Sequence, residues 1–70
     1  MGKLRLGNRL KVARAEHGLS QEQLADLVAV SRQTISSIET GQYCPSALLA
    51  FLLAQRLGKA VDELFFLQGD

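Results

Sequence analysis

The chain has 70 residues, of which 47% are hydrophobic, and a formal net charge of +1. This length predicts one small domain covering residues 1–70. The single cysteine, Cys44, excludes an internal disulfide and a cysteine-rich metal site, and the single histidine, His17, excludes a histidine cluster. We therefore expect no metal, no cofactor and no enzymatic centre. Basic residues interrupt the first apolar residues, and no apolar run approaches bilayer length, so we expect a cytoplasmic protein without membrane contact.

Basic residues are concentrated at the start of the chain. Residues 1–15 contain five Lys or Arg and no acid, whereas acids gather at 16–26 and 62–70. This polarisation favours one side of the molecule facing phosphate groups. A simply solvated first helix is the alternative explanation of the same charges.

The hydrophobic pattern predicts five helices and no strand, because no useful length of chain alternates with period two. Helix one is expected from residue 7 or 8 to 17, with Asn8 as its cap. Helix two begins at 21, helix three lies between Ser31 and Gly41, and helices four and five cover 47–57 and 61–65. The stripe that faces inward from helix one comprises Leu6, Leu10, Ala13 and His17. The other expected core residues are Leu24, Ala25, Val28, Val30, Ile35, Ile38, Leu49, Leu53, Leu57, Val61 and Leu64, and residues 68–70 are expected to be loose.

Residues 20–41 are the most informative stretch, because they predict two amphipathic helices joined by a tight turn. Ser20 with Gln23 forms a capping box, Ser31 caps the second helix, and Gly41 ends it. No acid precedes Glu39 on the outer face of that second helix. Such a polar face, held across another helix, is what a DNA major groove requires. Its residues are Arg32, Gln33, Thr34, Ser36, Ser37 and Thr40.

This stretch resembles the helix-turn-helix of the phage repressor and Cro type (XRE-like), a family of small DNA-binding regulators. The similarity extends over residues 8–66, including Arg9-Leu10 through Arg14 and Pro45-Ser46. It implies an all-α, compact five-helix, lambda-repressor-like domain. The family usually has glycine where Ala29 stands, so we expect a left-handed strain of roughly 1 kcal/mol at that turn.

The position of each residue in the motif implies its role on DNA. Arg32, Gln33 and Ser37 are the expected base-contacting residues, since Arg suits guanine and Gln suits adenine. Arg14 and Glu39 match a pair that ties helix one to the end of helix three. The alternative interpretation of Arg32, Gln33 and Ser37 is an ordinary solvated helix face. The expected phosphate contacts are Arg9, Lys11, Gln21, Ser31, Thr34, Thr40, Gln42 and Tyr43, with backbone amides of the loop after helix three.

The C-terminal third, residues 46–67, is more apolar than one core needs. Three consecutive large side chains follow helix five, and one helix face cannot hide all three. A contiguous apolar patch on so small a domain marks a partner surface. We expect a symmetric homodimer formed through Leu48, Leu52, Phe65, Phe66 and Leu67.

These features together indicate a transcriptional regulator that binds a double-stranded DNA operator as a dimer. It would act by occupancy, blocking or recruiting polymerase. The alternative is a protein-binding module, such as the antitoxin of a toxin–antitoxin pair, whose apolar C-terminal third holds a toxin.

Overall fold

The computed structural model describes residues 3–69, in which five helices pack together beside a two-stranded antiparallel ribbon. The five helices and the helix-turn-helix agree with the sequence, but the all-α expectation is wrong because of the ribbon. The elements, in chain order, are β1 (Leu4–Asn8), α1 (Leu10–Glu16), α2 (Gln21–Leu27), α3 (Arg32–Glu39), α4 (Ala47–Arg56), α5 (Val61–Leu64) and β2 (Phe65–Gly69).

Serine caps begin three of the helices, and the caps at Ser20 and Ser31 are those predicted. The Ser20 hydroxyl accepts from the Gln23 backbone N–H at 3.0 Å, and the Gln23 side-chain oxygen accepts from the Ser20 N–H at 2.8 Å. Ser31 and Ser46 accept from the backbone N–H three residues later, at 3.2 and 3.1 Å. Each cap satisfies a donor that the first turn leaves without an intrahelical partner.

The core joins all five helices with the start of β2. Helices of four to ten residues are not stable alone, so the shared apolar core stabilises them together. Val30 and Val61 are partly buried rather than buried, and His17 is exposed rather than part of an inward stripe. The buried residues are Leu10, Ala13, Leu24, Ala25, Val28, Ile35, Ile38, Leu49, Leu53, Ala54, Leu57, Leu64 and Phe65.

The ribbon includes residues that the sequence pattern assigned to helices, at 7–8 and 65, and to loose chain, at 68–69. Its register runs from Leu4 opposite Gly69 to Asn8 opposite Phe65. Helix one therefore begins at Leu10, later than predicted, and Leu6 belongs to β1. Helix five ends before Phe65, and residues 68 and 69 are paired rather than loose, while residue 70 lies outside the described residues.

Side chains alternate between the two faces of β2, and this alternation accommodates the three consecutive large side chains at 65–67. Phe65 enters the core, Phe66 turns to the opposite face of the ribbon, and Leu67 returns to the first face but extends beyond the core. The Phe66 ring lies across Gly7, where an added Cβ would overlap it, and under the Arg9 guanidinium, 4.5 Å from the ring centroid. Phe65 is thus a core residue and not part of the predicted partner surface.

The turn between α2 and α3 contains the one non-glycine residue with positive φ among residues 3–69, Ala29 at +58°. The side chain is exposed, so its Cβ gains little packing in return for a conformation that costs L-residues roughly 1–2 kcal/mol.

We expect Ala29→Gly to raise the free energy of unfolding by about 0.5–1 kcal/mol, because glycine adopts this conformation without strain but has a more flexible unfolded chain. Urea unfolding measures the change. Ala15→Gly, at an exposed position within α1, is the matched control and should lower stability by a similar amount. Loss of stability in both variants would show that the turn is not strained.

Ile38 is 1% exposed and lies where α3 faces the core. We expect Ile38→Ala to lower the free energy of unfolding by about 2–5 kcal/mol, because it removes buried methyl groups and leaves a cavity. Val12→Ala, at an exposed position on α1, should change stability by less than about 0.5 kcal/mol. Equal effects of the two substitutions in thermal or urea unfolding would contradict this core.

Candidate nucleic-acid interface

Helices α2 and α3 form the helix-turn-helix, and the packing of α3 decides which of its side chains face outward. Ile35 and Ile38 are buried against the core, so the opposite side of α3 faces solvent. Arg32 and Gln33 lie exposed in the first turn, and Ser37 lies half-buried one turn further along. No acid occupies the first turn of α3. The structure therefore brings the three predicted base-contacting residues onto α3 with no carboxylate among them.

A buried carboxylate connects the end of α3 to α1. The Glu39 carboxylate accepts from Arg14 Nε at 2.7 Å and from Arg14 Nη2 at 3.2 Å, so the pair is bidentate. The two side chains are only 5% and 15% exposed, respectively. Arg14 Nη1 also donates to the Leu19 carbonyl at 2.9 Å, which fixes the guanidinium on a second side.

The pKa of Arg14 is raised above its ordinary value. The main cause is the hydrogen bond to Glu39; partial burial opposes the increase, and the negative charge of Glu39 adds to it. Arg14 therefore stays charged, and the pair orients α3 as a fixed ionic contact.

The same carboxylate extends the connection to the start of α2 and back to α3. Gln21 Nε2 donates to Glu39 Oε1 at 3.0 Å, and Gln21 Oε1 accepts from Arg32 Nη1 at 3.3 Å. Four side chains from three helices thus form one hydrogen-bonded series, which we call the Arg14–Arg32 chain: Arg14, Glu39, Gln21 and Arg32. Sequence reasoning paired Arg14 with Glu39 but did not connect that pair to Gln21.

The first part of the loop after α3 is hydrogen-bonded back to the helix. The backbone N–H groups of residues 40–43 donate to carbonyls of α3, with Gln42 and Tyr43 sharing the Ser37 carbonyl at 2.9 and 3.1 Å. These four amides cap the helix and are not free for phosphate, whereas the backbone N–H of Cys44, in the same loop, has no hydrogen-bond partner within residues 3–69. The Thr40 hydroxyl donates to the Ser36 and Ser37 carbonyls at 3.1 and 3.3 Å. The side chains of Gln42 and Tyr43 are exposed.

The remaining predicted phosphate contacts lie at the N-termini of α1 and α3. Arg9 and Lys11 are exposed at the start of α1. Ser31 and Thr34 are hydrogen-bonded to each other through their hydroxyls at 3.0 Å, at the N-terminus of α3. Ser31 therefore serves first as a cap, with its hydroxyl at the helix end.

Two further polar residues support this region. Asn8 was predicted only as the cap of helix one, where Arg9 holds the N-cap position instead, and Arg5 was given no individual role. Asn8 donates through Nδ2 to the Ile38 carbonyl at 2.9 Å, while its Oδ1 accepts from the Leu10 N–H at 3.1 Å. It therefore links the ribbon, α1 and the end of α3. Arg5 lines a polar cavity together with Thr40 and Gly41. The local excess of basic residues was the only signal for Arg5.

Within residues 3–69, no group of three or more His, Cys, Asp or Glu side chains is arranged to hold a metal ion. His17 Nε2 donates to the Leu57 carbonyl at 2.8 Å, a contact between α1 and α4. In the same range, no helix combines the length and the apolar character needed to cross a bilayer.

A family model described as helix-turn-helix (HTH_3) matches residues 10–64. The chain belongs to this XRE-type family of helix-turn-helix transcriptional regulators, and the resemblance noted in the sequence is confirmed.

Similar proteins include an uncharacterized HTH-type transcriptional regulator of Methanocaldococcus jannaschii, 48% identical over 63 residues, which cover 90% of this chain and 96% of that protein. The uncharacterized HTH-type regulator YgzD of Bacillus subtilis is 41% identical over 61 residues, covering 87% and 92%. The restriction-modification controller protein C.AhdI of Aeromonas hydrophila superposes with a TM-score of 0.74 at 36% identity, covering 79% and 80%. The chain is thus a DNA-binding transcriptional regulator by family, and that family is not one of enzymes.

We expect a double-mutant cycle of Arg14→Ala and Glu39→Ala to give a coupling energy of about 1–3 kcal/mol, because either single change leaves a largely buried charge unpaired. Glu39→Ala alone should cost about 2–4 kcal/mol of unfolding free energy. The matched control is the more solvent-accessible pair Glu16–Lys59, at 3.3 Å, whose coupling should stay below about 1 kcal/mol. Equal coupling in the two cycles, measured by urea unfolding, would remove the special role of Glu39.

Proposed function

We propose that this protein is a cytoplasmic, sequence-specific regulator that binds a double-stranded DNA operator as a dimer and acts by occupying it. The observation that carries the proposal is the exposed polar face of α3, free of carboxylates and held to α1 and α2 by the Arg14–Arg32 chain. A rigidly held helix of this kind suits insertion into a major groove.

In this proposal, Arg32, Gln33 and Ser37 contact base edges. Arg32 gives one N–H to Gln21 and keeps the rest of its five donors, enough for a bidentate contact to guanine. No hydrogen bond within residues 3–69 uses the Gln33 side chain, so its amide is available to an adenine edge. Ser37 lies one turn further along the same helix.

The phosphate contacts of the proposal surround α3. The Gln21 side chain has both amide atoms bonded within the protein, so it positions Arg32 and meets phosphate only with the N–H that remains. The other proposed contacts are Arg9, Lys11, Ser31, Thr34, Thr40, Gln42 and Tyr43.

The proposed dimer uses the apolar surface of the C-terminal third. Leu48 and Leu67 are 72% and 74% exposed, and Leu52 and Phe66 are half-buried. Phe51, 64% exposed on α4, lines one groove with Phe66 and Leu67 and was not predicted. A two-fold dimer would place two α3 helices about 34 Å apart, one turn of DNA.

Substitutions on α3 and α1 separate sequence reading from charge attraction. On an operator obtained by selection from random duplexes, Arg32→Ala or Gln33→Ala should weaken binding by about 1–3 kcal/mol and relax specificity at one half-site position. Their affinity for random duplex should be unchanged. Fluorescence anisotropy at several stated salt concentrations measures both affinities.

Lys11→Ala is the matched control, because its ammonium would contact phosphate rather than bases. It should weaken operator and random duplex alike and lower the slope of log K against log salt by roughly 1. If Gln33→Ala also weakens both duplexes equally, α3 does not read sequence, and a protein-binding role such as that of an antitoxin takes precedence.

A further inference from the structure

The hydrogen-bond pattern of the ribbon shows which backbone groups face its outer edges. The Arg9 N–H donates to the Leu64 carbonyl at 2.8 Å, one step beyond the ribbon and in the same register. Bonded and non-bonded pairs alternate in an antiparallel ladder, so Gly7 bonds with Phe66. The pairs that alternate with these bonded pairs are not hydrogen-bonded across the ribbon. Their β2 members therefore direct their N–H and C=O groups toward the outer edge: Phe65, Leu67 and Gly69.

The outer edge of β2 is free over most of its length. The Phe65 N–H donates to the Val61 carbonyl and closes α5. Within residues 3–69, the Phe65 carbonyl and both backbone groups of Leu67 and Gly69 have no hydrogen-bond partner. Residues 67–69 are all exposed.

This edge carries none of the features that usually prevent association of edge strands. Protein edge strands commonly contain lysine, proline or an inward charge. The sequence of β2 is FFLQG, without a charge or a proline. In contrast, β1 contains Arg5 and follows Lys3. The β2 edge is thus an open template for another neutral strand.

We propose that a second copy of this chain pairs its β2 with this β2, antiparallel and centred on Leu67, to form a four-stranded sheet. Leu67 then lies opposite Leu67 of the second copy, and Phe65 lies opposite Gly69. Four hydrogen bonds form, two between the Leu67 backbones and two from Gly69 N–H groups to Phe65 carbonyls. Every free group on the edge is used except the outward carbonyl of Gly69. The inference rests on the dimer of the proposed function and specifies how it assembles.

The distribution of charge favours β2 as the pairing strand over β1. Pairing of two β1 strands about Leu6 would set Lys3 opposite Arg9 of the second copy, and like charges directly opposite destabilise a strand pair. Pairing of β2 places no charge opposite another within residues 65–69. An isologous contact through β2 is therefore self-complementary.

The apolar face of the ribbon also favours a second copy of this chain as the partner of β2. The Leu6 and Leu67 side chains share that face and line an apolar groove with Phe51 of α4. Pairing through β2 brings two such faces side by side around the two Leu67 side chains. Leu67 also lines a cavity with Gln42 and Tyr43, so the two-fold axis falls near the loop that follows α3 in both copies.

Charge substitutions at position 67 test the register. Leu67→Lys alone and Leu67→Glu alone should each weaken self-association at least tenfold in sedimentation-equilibrium measurements, because like charges then face each other. An equimolar mixture of the two variants should recover a dimer, because opposite charges then meet. Val12→Lys, at an exposed aliphatic position of α1, is the control and should leave self-association unchanged.

A backbone substitution separates the hydrogen bonds from the side chain. The Leu67 N–H is not part of the β1–β2 ladder, so Leu67→Pro leaves the fold possible while removing both central intermolecular bonds. It should associate about tenfold more weakly than Leu67→Ala, which keeps the N–H. Circular dichroism of both variants checks that the helices remain.

Three results would overturn the pairing: wild-type protein that is monomeric at high micromolar concentration, a Leu67→Lys variant that dimerises normally, or a mixture that fails to recover the dimer. Binding to a duplex with a single half-site is measured in parallel. A variant that is monomeric yet still prefers the selected half-site leaves base reading by α3 intact, so the two proposals fail independently.

Discussion

The Glu39 carboxylate is the contact on which the placement of α3 depends. It is almost fully buried at the end of α3, and its donors come from α1 and α2. A buried carboxylate without donors is costly, so all three helices must adopt their relative positions for the charge to be satisfied. Helices of seven or eight residues have little orientation of their own. The ionic contact therefore holds α1, α2 and α3 in one fixed arrangement, with the outer face of α3 exposed.

The apolar core and the ribbon support this arrangement from the side away from α3's outer face. Ile35 and Ile38 anchor α3 to the core, while Asn8 bonds the Ile38 carbonyl from the ribbon. At the other end of the domain, Arg56 Nε donates to the Leu27 carbonyl at 3.2 Å and holds the end of α2 against α4. Each end of α2 and of α3 is thus held by at least one long-range polar contact. Function at the outer face depends on these supports.

Sequence reasoning succeeded where the signal is local. Caps such as Ser20 and Ser31, and the helical spacing of Ile35 and Ile38, each depend on residues within one or two turns. The position of Ala29 in the motif likewise anticipated its positive φ. The same reasoning failed for the ribbon, because its two strands lie about 60 residues apart and each is only five residues long. Their partner, rather than their own pattern, makes them strands.

At the candidate site, too, local sequence patterns predicted some features, while others depend on contacts between distant residues. The outward position of Arg32 and Gln33 follows from helical periodicity alone. The pairing of Arg14 with Glu39 was expected from family resemblance, whereas the link from Glu39 through Gln21 to Arg32 depends on how the three helices pack. The use of the loop amides by α3 also depends on chain geometry that no residue pattern encodes. Side-chain type thus predicted which residues are polar and exposed, and the fold determined which of them are already bonded.

The central claim is that α3 is the surface that meets DNA, and nuclear magnetic resonance mapping on a selected duplex tests it most directly. Backbone amides of the isotope-labelled wild-type protein are followed while a duplex enriched from random sequence is added at fixed salt. The account predicts that the largest shift changes fall in the first turns of α2 and α3 and at the start of α1, with a scrambled duplex giving smaller changes on α3. Changes concentrated on α4, or identical responses to both duplexes, would contradict it.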